Sequence, residues 1–490
     1  VSTTDMRLAP PVPTTAEGHG RLIGLLVASA FVVILNETIM SVALPDLMRE
    51  FEVRATTAQW LTTAFLLTMA VVIPVTGFLL TRFSLRTVFV AAMTSFSIGT
   101  LVAALAPVFA VLVAGRVVQA VGTALMMPLL ITTILNLVDE ERRGRMMGTI
   151  SIVISVAPAI GPTVSGLVLD SLSWRWMFWI VLPIALLSLA LGARWVRNVT
   201  EPRRVPVDVV SVVLSALAFG GLIYGLSSIG ESASGHTPMP VWVPLVIGGG
   251  ALVAFIARQL QLGDRALLDL RAFTVRTFTV AVALVAVSML ALFGTLILLP
   301  LYLQNVLGLS VLDTGLVLLP GGLTMGLLAP VVGRLFDRVG PRPLVAPGAA
   351  IVSVALWGMT TFDLDTGRPI VVGLHVLMSV GLAFMFTPLL TSALGSLPPR
   401  LYSHGSAIVS TLQQVAGAAG TALFVTVMTR RTVAGTEAGQ PLVEATAEGI
   451  HAALMYGGAI SAVAVLIALL VRRPATPADA AETVEPGPHM

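Results

Sequence analysis

Fourteen predominantly apolar stretches run through this chain, near 21–45, 57–80, 86–106, 108–137, 145–169, 175–197, 208–230, 240–260, 276–306, 310–335, 342–363, 369–396, 403–429 and 450–471. At a helical rise of about 1.5 Å per residue, each is long enough to cross a hydrocarbon layer roughly 30 Å thick. In lipid every backbone N–H and C=O must be satisfied within the segment, so each stretch is expected to be an α-helix. The composition agrees. The chain is 56% hydrophobic and 11% charged, against roughly 25% charged residues in soluble globular domains. The expected architecture is an all-α polytopic membrane protein with fourteen transmembrane helices.

The charges set the orientation. Lysine is absent, so all 28 basic residues are arginine. A net charge of +3 raises the question of nucleic acid, but these arginines are spread over short loops between spans, which is a topology signal. Twenty-one lie on the side that would hold both termini, six lie on the other, and Arg116 lies inside a span. The excess of positive charge inside predicts cytoplasmic termini and a multi-pass protein of the plasma membrane. Cysteine is also absent, which removes disulfides, thiolate nucleophiles and thiolate metal sites. The chain has no phosphate-binding loop, no H-E-x-x-H and no G-x-S-x-G, so neither ATP drive nor hydrolysis has its usual machinery. A membrane-embedded enzyme is disfavoured, and no cofactor or metal is implied.

A repeat organises the spans. Gly77-Phe78-Leu79-Leu80-Thr81-Arg82-Phe83-Ser84-Leu85-Arg86 and Gly333-Arg334-Leu335-Phe336-Asp337-Arg338-Val339-Gly340-Pro341-Arg342 both read G-x-L-x-x-R-x-x-x-R, after the second and tenth spans. Repeated halves around a central cavity are a common transporter plan. The expected division is a polar tail (1–20), a six-helix bundle (21–200), two extra helices (201–262), an interfacial linker helix (263–275), a second six-helix bundle (276–473) and a second tail (474–490). No small-residue cleavage site follows the first stretch, which is therefore read as a span and not as a leader. Residues 430–449 are expected to form the longest loop on the side opposite the termini.

Two ionisable groups stand out inside these spans, Glu37 in the first and Arg116 in the fourth. A charge at the bilayer centre costs about 2.5–3.5 kcal/mol on insertion scales, so both are functional candidates. Arginine cannot give up its proton and needs an acid, carbonyls or water around it. Glu37 precedes Pro45 by eight residues, which places it about 12 Å inside the outer end of a continuous helix. Arg116 is expected at a similar depth, making Glu37 the candidate proton carrier and Arg116 its partner. Gln119, Thr123 and Met127 share the Arg116 face.

His375 in the twelfth span heads a face with Met378, Leu382 and Phe386. It is either a second titrating group or, as lone histidines more often are, a hydrogen-bonded packing residue. Gln413 and Gln414 need partners wherever water is scarce. Met127, Met289 and Phe386 suit an adaptable apolar wall, or simple filling. Ile34, Ser41, Phe293, Tyr302 and Asn305 complete the candidate substrate contacts. Pro158, Gly161, Pro162 and Gly166 in the fifth span suit a bent, closely packed gating helix. Gly333, Asp337, Arg338, Gly340 and Arg342 suit a latch, because an acid near a helix N-terminus gains about 0.3–1 kcal/mol. Topology-setting charge is the plainer reading of the same residues.

Arg116-Val117-Val118-Gln119-Ala120-Val121-Gly122 is similar to the R-x-x-Q-x-x-G motif of the major facilitator superfamily, whose arginine is implicated in proton coupling. Ala157-Pro158-Ala159-Ile160-Gly161-Pro162-Thr163-Val164-Ser165-Gly166 resembles its antiporter motif G-x-x-x-G-P-x-x-G-G, with Ala157 and Ser165 as departures. The likeness runs from about Arg21 to Arg473 and is closest to fourteen-span drug:proton antiporters of the lincomycin-resistance type. Leu35-Asn36-Glu37-Thr38-Ile39, Trp174-Arg175-Trp176-Met177-Phe178, the stretch from Tyr302 to Gly308 and the stretch from Ser403 to Gln414 carry that closer likeness. The resemblance implies a monomer that exchanges protons for small amphipathic drugs by alternating access, with membrane lipids around it. A dedicated exporter or flippase of a lipid or metabolite fits the same scaffold.

Three departures bear on the site. Asn36 stands where many members carry Asp, and the acid is one residue on, rotated by about 100°. In the first hairpin Thr81 replaces Asp and Ser84 replaces Gly.

Overall fold

The computed structural model describes residues 16–40, 43–53, 55–58, 60–196, 206–232 and 239–469. Among these, fourteen helices are long and apolar enough to cross a membrane. The first half contains α1 (Ala16–Ile39), the short α2 (Leu44–Glu50) and α3 (Ala55–Ala58), then α4 (Trp60–Arg82), α5 (Leu85–Ala104), α6 (Phe109–Leu137), α7 (Arg143–Ser171) and α8 (Arg175–Trp195). A hairpin of α9 (Val209–Ser232) and α10 (Trp242–Leu262) follows. The second half contains α11 (Arg276–Asn305), α12 (Val311–Val339), α13 (Arg342–Met359), α14 (Arg368–Gly395), α15 (Tyr402–Glu437) and α16 (Leu442–Ala468).

Within the first half, α1 rests on α6, α7 and α8, and α5 packs between α6 and α8. Within the second, α13 packs on α14 and α16, and α11 on α14, α15 and α16. The halves meet where α7 runs along α12 and α4 along α15, with lesser contacts of α7 to α14 and α6 to α15. Both repeated hairpins lie at one end of the bundle, the basic end. The inserted α9 lies against α4 of one half and α15 of the other, while α10 packs on α9 and presents Trp242, Val246, Val253 and Leu260 outward.

Three sequence expectations change. The first span does not run to residue 45. α1 stops at Ile39, and Pro45 sits in the first turn of the separate α2, where its missing N–H costs nothing. The Ile39 carbonyl is taken by the Ser165 hydroxyl at 2.9 Å. α2 is anchored by Glu50, which accepts a 2.6 Å bond from Trp174 Nε1 and another from Arg175, while Arg175 also reaches the Ala106 carbonyl at 3.1 Å. Burial raises the Glu50 carboxyl, but the bonds from Arg175 and Trp174 outweigh it and hold the group below its ordinary value.

Residues 263–275 are not one amphipathic helix. Gly263 has φ +54° and opens a 3-10 turn (Gly263–Arg265), and a second turn spans Leu270–Thr274. Side chains fix this path. Gln259 Oε1 accepts the N–H groups of Leu267 (2.7 Å) and Leu268 (3.3 Å), and its Nε2 donates to Ser211 Oγ at 2.8 Å. Beside it, Arg258 grips Asp208 through two bonds of 2.6 and 2.8 Å.

The expected long loop at 430–449 is mostly helix. α15 continues to Glu437 and α16 begins at Leu442, joined by a turn with Gly439 at φ +86°. At 36 residues α15 is about 54 Å long, well beyond a hydrocarbon thickness.

Candidate functional site

Arg116 is the largest polar side chain buried in the first half, only 1% exposed. Its partners are neutral. Nη1 donates to Asn36 Oδ1 at 3.0 Å and to Gln119 Oε1 at 2.6 Å. Gln119 Nε2 donates onward to Thr100 Oγ1 at 2.8 Å, and the Thr123 hydroxyl bonds to the Gln119 carbonyl at 3.1 Å. The face of Phe65 covers the guanidinium, with 4.0 Å from Cζ to the ring centroid, a cation–π contact that strengthens as water is excluded. These groups come from α1, α4, α5 and α6. The close packing of α5 on α6 delivers Thr100 to Gln119: a Cβ on Gly99 would lie 2.4 Å from the Gln119 nitrogen.

Glu37 is placed differently from expectation. Asn36, not Glu37, faces Arg116, and among the described residues no ion pair joins the acid to the arginine. The 100° step between successive helical residues accounts for this. Glu37 is partly exposed and close enough to feel the Arg116 charge. It is not about two turns inside its helix, as a continuous span would place it. It lies two residues from the end of α1, at the negative pole of that helix's dipole, the pole that repels an anion. Ser41 lies outside the described residues.

Among the described residues, the second half offers no comparable node. His375 is 7% exposed and lies near the Leu318 backbone, and its Nδ1 has no partner. Its ring lies so near Gly321 of α12 that a Cβ there would be 2.4 Å from Nε2, the geometry of a residue that packs α14 on α12. Met378, Leu382, Phe386 and Met289 are all buried at 3% exposure or less and form part of the packed core. Tyr302 is an anchor: its hydroxyl donates to the Asp363 carbonyl at 2.6 Å and its ring stacks on Phe362 at 5.1 Å. Asn305 is exposed at the end of α11. The other candidate contacts that retain exposure are Ile34, Met127, Phe293, Gln413 and Gln414. Gln413 Nε2 has no partner, and Gln414 Nε2 reaches only Met69 Sδ, at 3.8 Å.

At the basic end Asp337 does what an acid at a helix start can do. Its carboxylate accepts the N–H of Gly144 at 2.8 Å and of Arg145 at 3.1 Å, capping the first turn of α7 from the other half. This approach requires glycines, since a Cβ on Gly333 would lie 2.2 Å from the Gly144 carbonyl oxygen. Gly340 turns the chain at φ +78°, and Arg338 and Arg342 are exposed. Two hydroxyl pairs also cross between the halves: Thr132 with Ser406 at 3.0 Å, and Ser151 with Thr387 at 2.8 Å. Helix α7 continues unbroken through Pro158, Gly161, Pro162 and Gly166. A Cβ on Gly166 would meet open space, whereas one on Gly161 would strike Thr38.

Sequence reasoning missed Asn36, Phe65, Thr100 and Ser165 as parts of this site. Asn36 had a signal, since an amide beside a buried arginine can accept a hydrogen bond. The others are a phenylalanine, a threonine and a serine among many.

Comparisons with known proteins identify the family and the fold. Residues 26–421 match the family model described as Major Facilitator Superfamily. The chain is 43% identical over 457 residues to the lincomycin resistance protein LmrB of Listeria monocytogenes, covering 92% of this chain and 96% of that one. It is 30% identical over 422 residues to a multidrug resistance protein B homolog of Mycobacterium tuberculosis, covering 84% and 76%. The crystal structure of the human organic anion transporter MFSD10 (TETRAN) shares the fold with a TM-score of 0.67 at 15% identity, over 94% of this chain and 100% of that one. The fourteen-helix architecture, the paired halves and these matches together place the chain in the major facilitator superfamily, as a multi-pass membrane transporter related to lincomycin-resistance and multidrug-resistance proteins.

Proposed function

We propose that this protein is a proton-coupled exporter of amphipathic drugs in the plasma membrane, working by alternating access, with Glu37 as the proton carrier. One observation carries the reading. Asn36 and Gln119 take the Arg116 Nη1 and the Phe65 ring covers the guanidinium, its buried Nε staying unpartnered, so the nearby carboxylate stands outside an ion pair and is free to take and release a proton. The names of the relatives supply the drug class. Ile34, Met127, Phe293, Gln413 and Gln414, partly exposed and mostly apolar, suit an apolar or weakly cationic cargo. Met289, Met378, Leu382 and Phe386 come within reach of cargo only if α14 and its neighbours shift.

By the positive-inside distribution of arginine the basic end faces the cytoplasm. The Asp337 cap and the two hydroxyl pairs then close the protein to that side. Across about 150 mV, one proton moving inward supplies about 3.5 kcal/mol, enough for roughly a 300-fold gradient of a neutral cargo.

The test is Glu37→Gln, assayed in everted vesicles against a panel of compounds with and without a proton ionophore. Proton-driven efflux is expected to vanish while binding of a neutral cargo persists. Normal uphill efflux by the variant would falsify the assignment. Competition across the panel separates multidrug export from a dedicated lipid or metabolite exporter.

A further inference from the structure

The turn of α1 that carries Glu37 is held by α7. Ser165 is fully buried, and its Oγ donates to the Ile39 carbonyl at 2.9 Å, with Met177 Sδ its other neighbour at 3.8 Å. One turn earlier on the same face, Gly161 approaches so closely that a Cβ would lie 2.3 Å from Thr38 Oγ1. Thr38 in turn bonds to the Leu35 carbonyl at 2.9 Å. Asn36, on the other side of Glu37, is fixed by Arg116. Residues 36, 38 and 39 are therefore each tied to a named partner, and Glu37 sits among them. The opposite end of α7 begins at the Asp337 cap on Gly144 and Arg145. Gly144 and Ser165 are 21 residues apart in one helix, about 31 Å.

We propose that Ser165 is a positioning residue for Glu37. The last carbonyls of a helix have no intrahelical donor, and α1 ends at Ile39. The Ser165 hydroxyl supplies that donor from α7 and so sets the height and rotation of the carboxylate-bearing turn. When Asp337 releases the first turn of α7, the displacement reaches Glu37 through the same helix. This inference rests on the reading of Glu37 as proton carrier.

The charged groups around that turn are few. Among the described residues, α6 contributes Arg116. The basic residues of α7, Arg143 and Arg145, lie at its far end, and the Asp170 side chain lies outside the described residues. Helix α8 carries Arg175, engaged by Glu50, and Arg194 in its last turn.

The experiment is proton-driven efflux from vesicles as a function of pH for Ser165→Ala, Ser165→Thr and Glu37→Gln. The alanine variant loses the donor, and its maximal turnover is expected to fall about three- to tenfold, the scale of one lost buried hydrogen bond. The apparent KM should stay nearly constant and the pH midpoint of turnover should move. The threonine variant keeps the hydroxyl and should recover the wild-type midpoint. Should the alanine variant fail to reach the membrane, Ser165→Gly removes the same donor without adding volume and decides the matter. An unchanged pH midpoint and turnover in Ser165→Ala or Ser165→Gly, alongside a dead Glu37→Gln, overturns the role of Ser165 alone. Full uphill efflux by Glu37→Gln overturns the proton-carrier reading beneath it.

Discussion

The two repeated hairpins occupy equivalent places and hold their neighbours by different means. After α12, Gly333 lies on the first turn of α7, and Asp337 accepts two of that turn's free N–H groups. After α4, Gly77 lies on the first turn of α15, with a Cβ there 3.1 Å from the Ser403 carbonyl oxygen and 3.3 Å from the His404 Cα. Thr81, at the position of Asp337, turns its hydroxyl back onto its own helix, bonding to the Gly77 carbonyl at 2.8 Å. The close approach is repeated and the anion is not. One seam at the basic end is thus tied by a charge-assisted cap and the other by packing. In lipid, where apolar helix faces gain little by finding each other, the α4–α15 seam is the one that parts at lower cost.

The largest test of that contrast is Asp337→Ala. It removes two bonds from N–H groups to a carboxylate and is expected to weaken the closed basic end by about 2–3 kcal/mol, roughly a 30- to 150-fold shift toward opening. The chain has no cysteine, so spin labels at single cysteines replacing Glu141 and Arg334 can be read without background. An unchanged distance distribution would sink the idea of an Asp337 latch. Asp337→Asn keeps an acceptor but loses the charge, and about 1 kcal/mol is expected in the same measurement. Thr81→Asp should work in the opposite direction by supplying an anion at the start of α15. A gain of up to about 1 kcal/mol for the closed form would appear as severalfold slower efflux, and an inert Thr81→Asp would show that the two hairpins are not equivalent.

The smallest effect concerns what holds the α15 start instead. His404 lies near Leu267 of the linker, and the linker hangs on Gln259, next to the Arg258–Asp208 pair. Hydrogen bonds from Arg258 hold the Asp208 carboxyl well below the ordinary aspartate value of 3.8. Because the folded value is depressed, the tie is complete above that ordinary value and weakens only as the pH falls toward the folded one. Hydrogen exchange at the Leu267 and Leu268 amides should therefore show constant protection factors between pH 7 and pH 5. Asp208→Asn should lower that protection at neutral pH, and early loss of protection in the wild type would count against the tie.

Much of the fold was legible because bilayer thickness and hydropathy act on every span separately. What the sequence hid follows from the same physics. Hydropathy marks where the chain meets lipid, not where a helix stops. Arg430 and Arg431 end the apolar run, yet α15 continues to Glu437. Residues 38–44 stay mostly apolar, yet α1 ends at Ile39, whose carbonyl is taken by a serine 126 positions away. Arg116 and Gln119 could be read as a pair from helical spacing. Their link to Asn36 could not, since it depends on which face of α1 meets α6. The linker looked amphipathic in sequence, but Gln259 and Asp269 recruit its backbone N–H groups and fold it into 3-10 turns.

The inserted hairpin has a consequence for how far the molecule can move. Its helix α9 touches α4 and α15 at once, so any parting of those two must slide α9 along at least one of them. Inside the bilayer that sliding is nearly free, because lipid tails replace the lost side-chain contacts. At the basic end it is not, because Gln259 fastens the hairpin to the linker through the Leu267 and Leu268 amides, while Arg258 and Asp208 tie the two ends of the hairpin to each other. The pair of extra helices is in mechanical terms a swing arm, pinned near the cytoplasmic surface by our topology and loose at its far end. Its reach is set by the length of the linker and not by the strength of the helix packing.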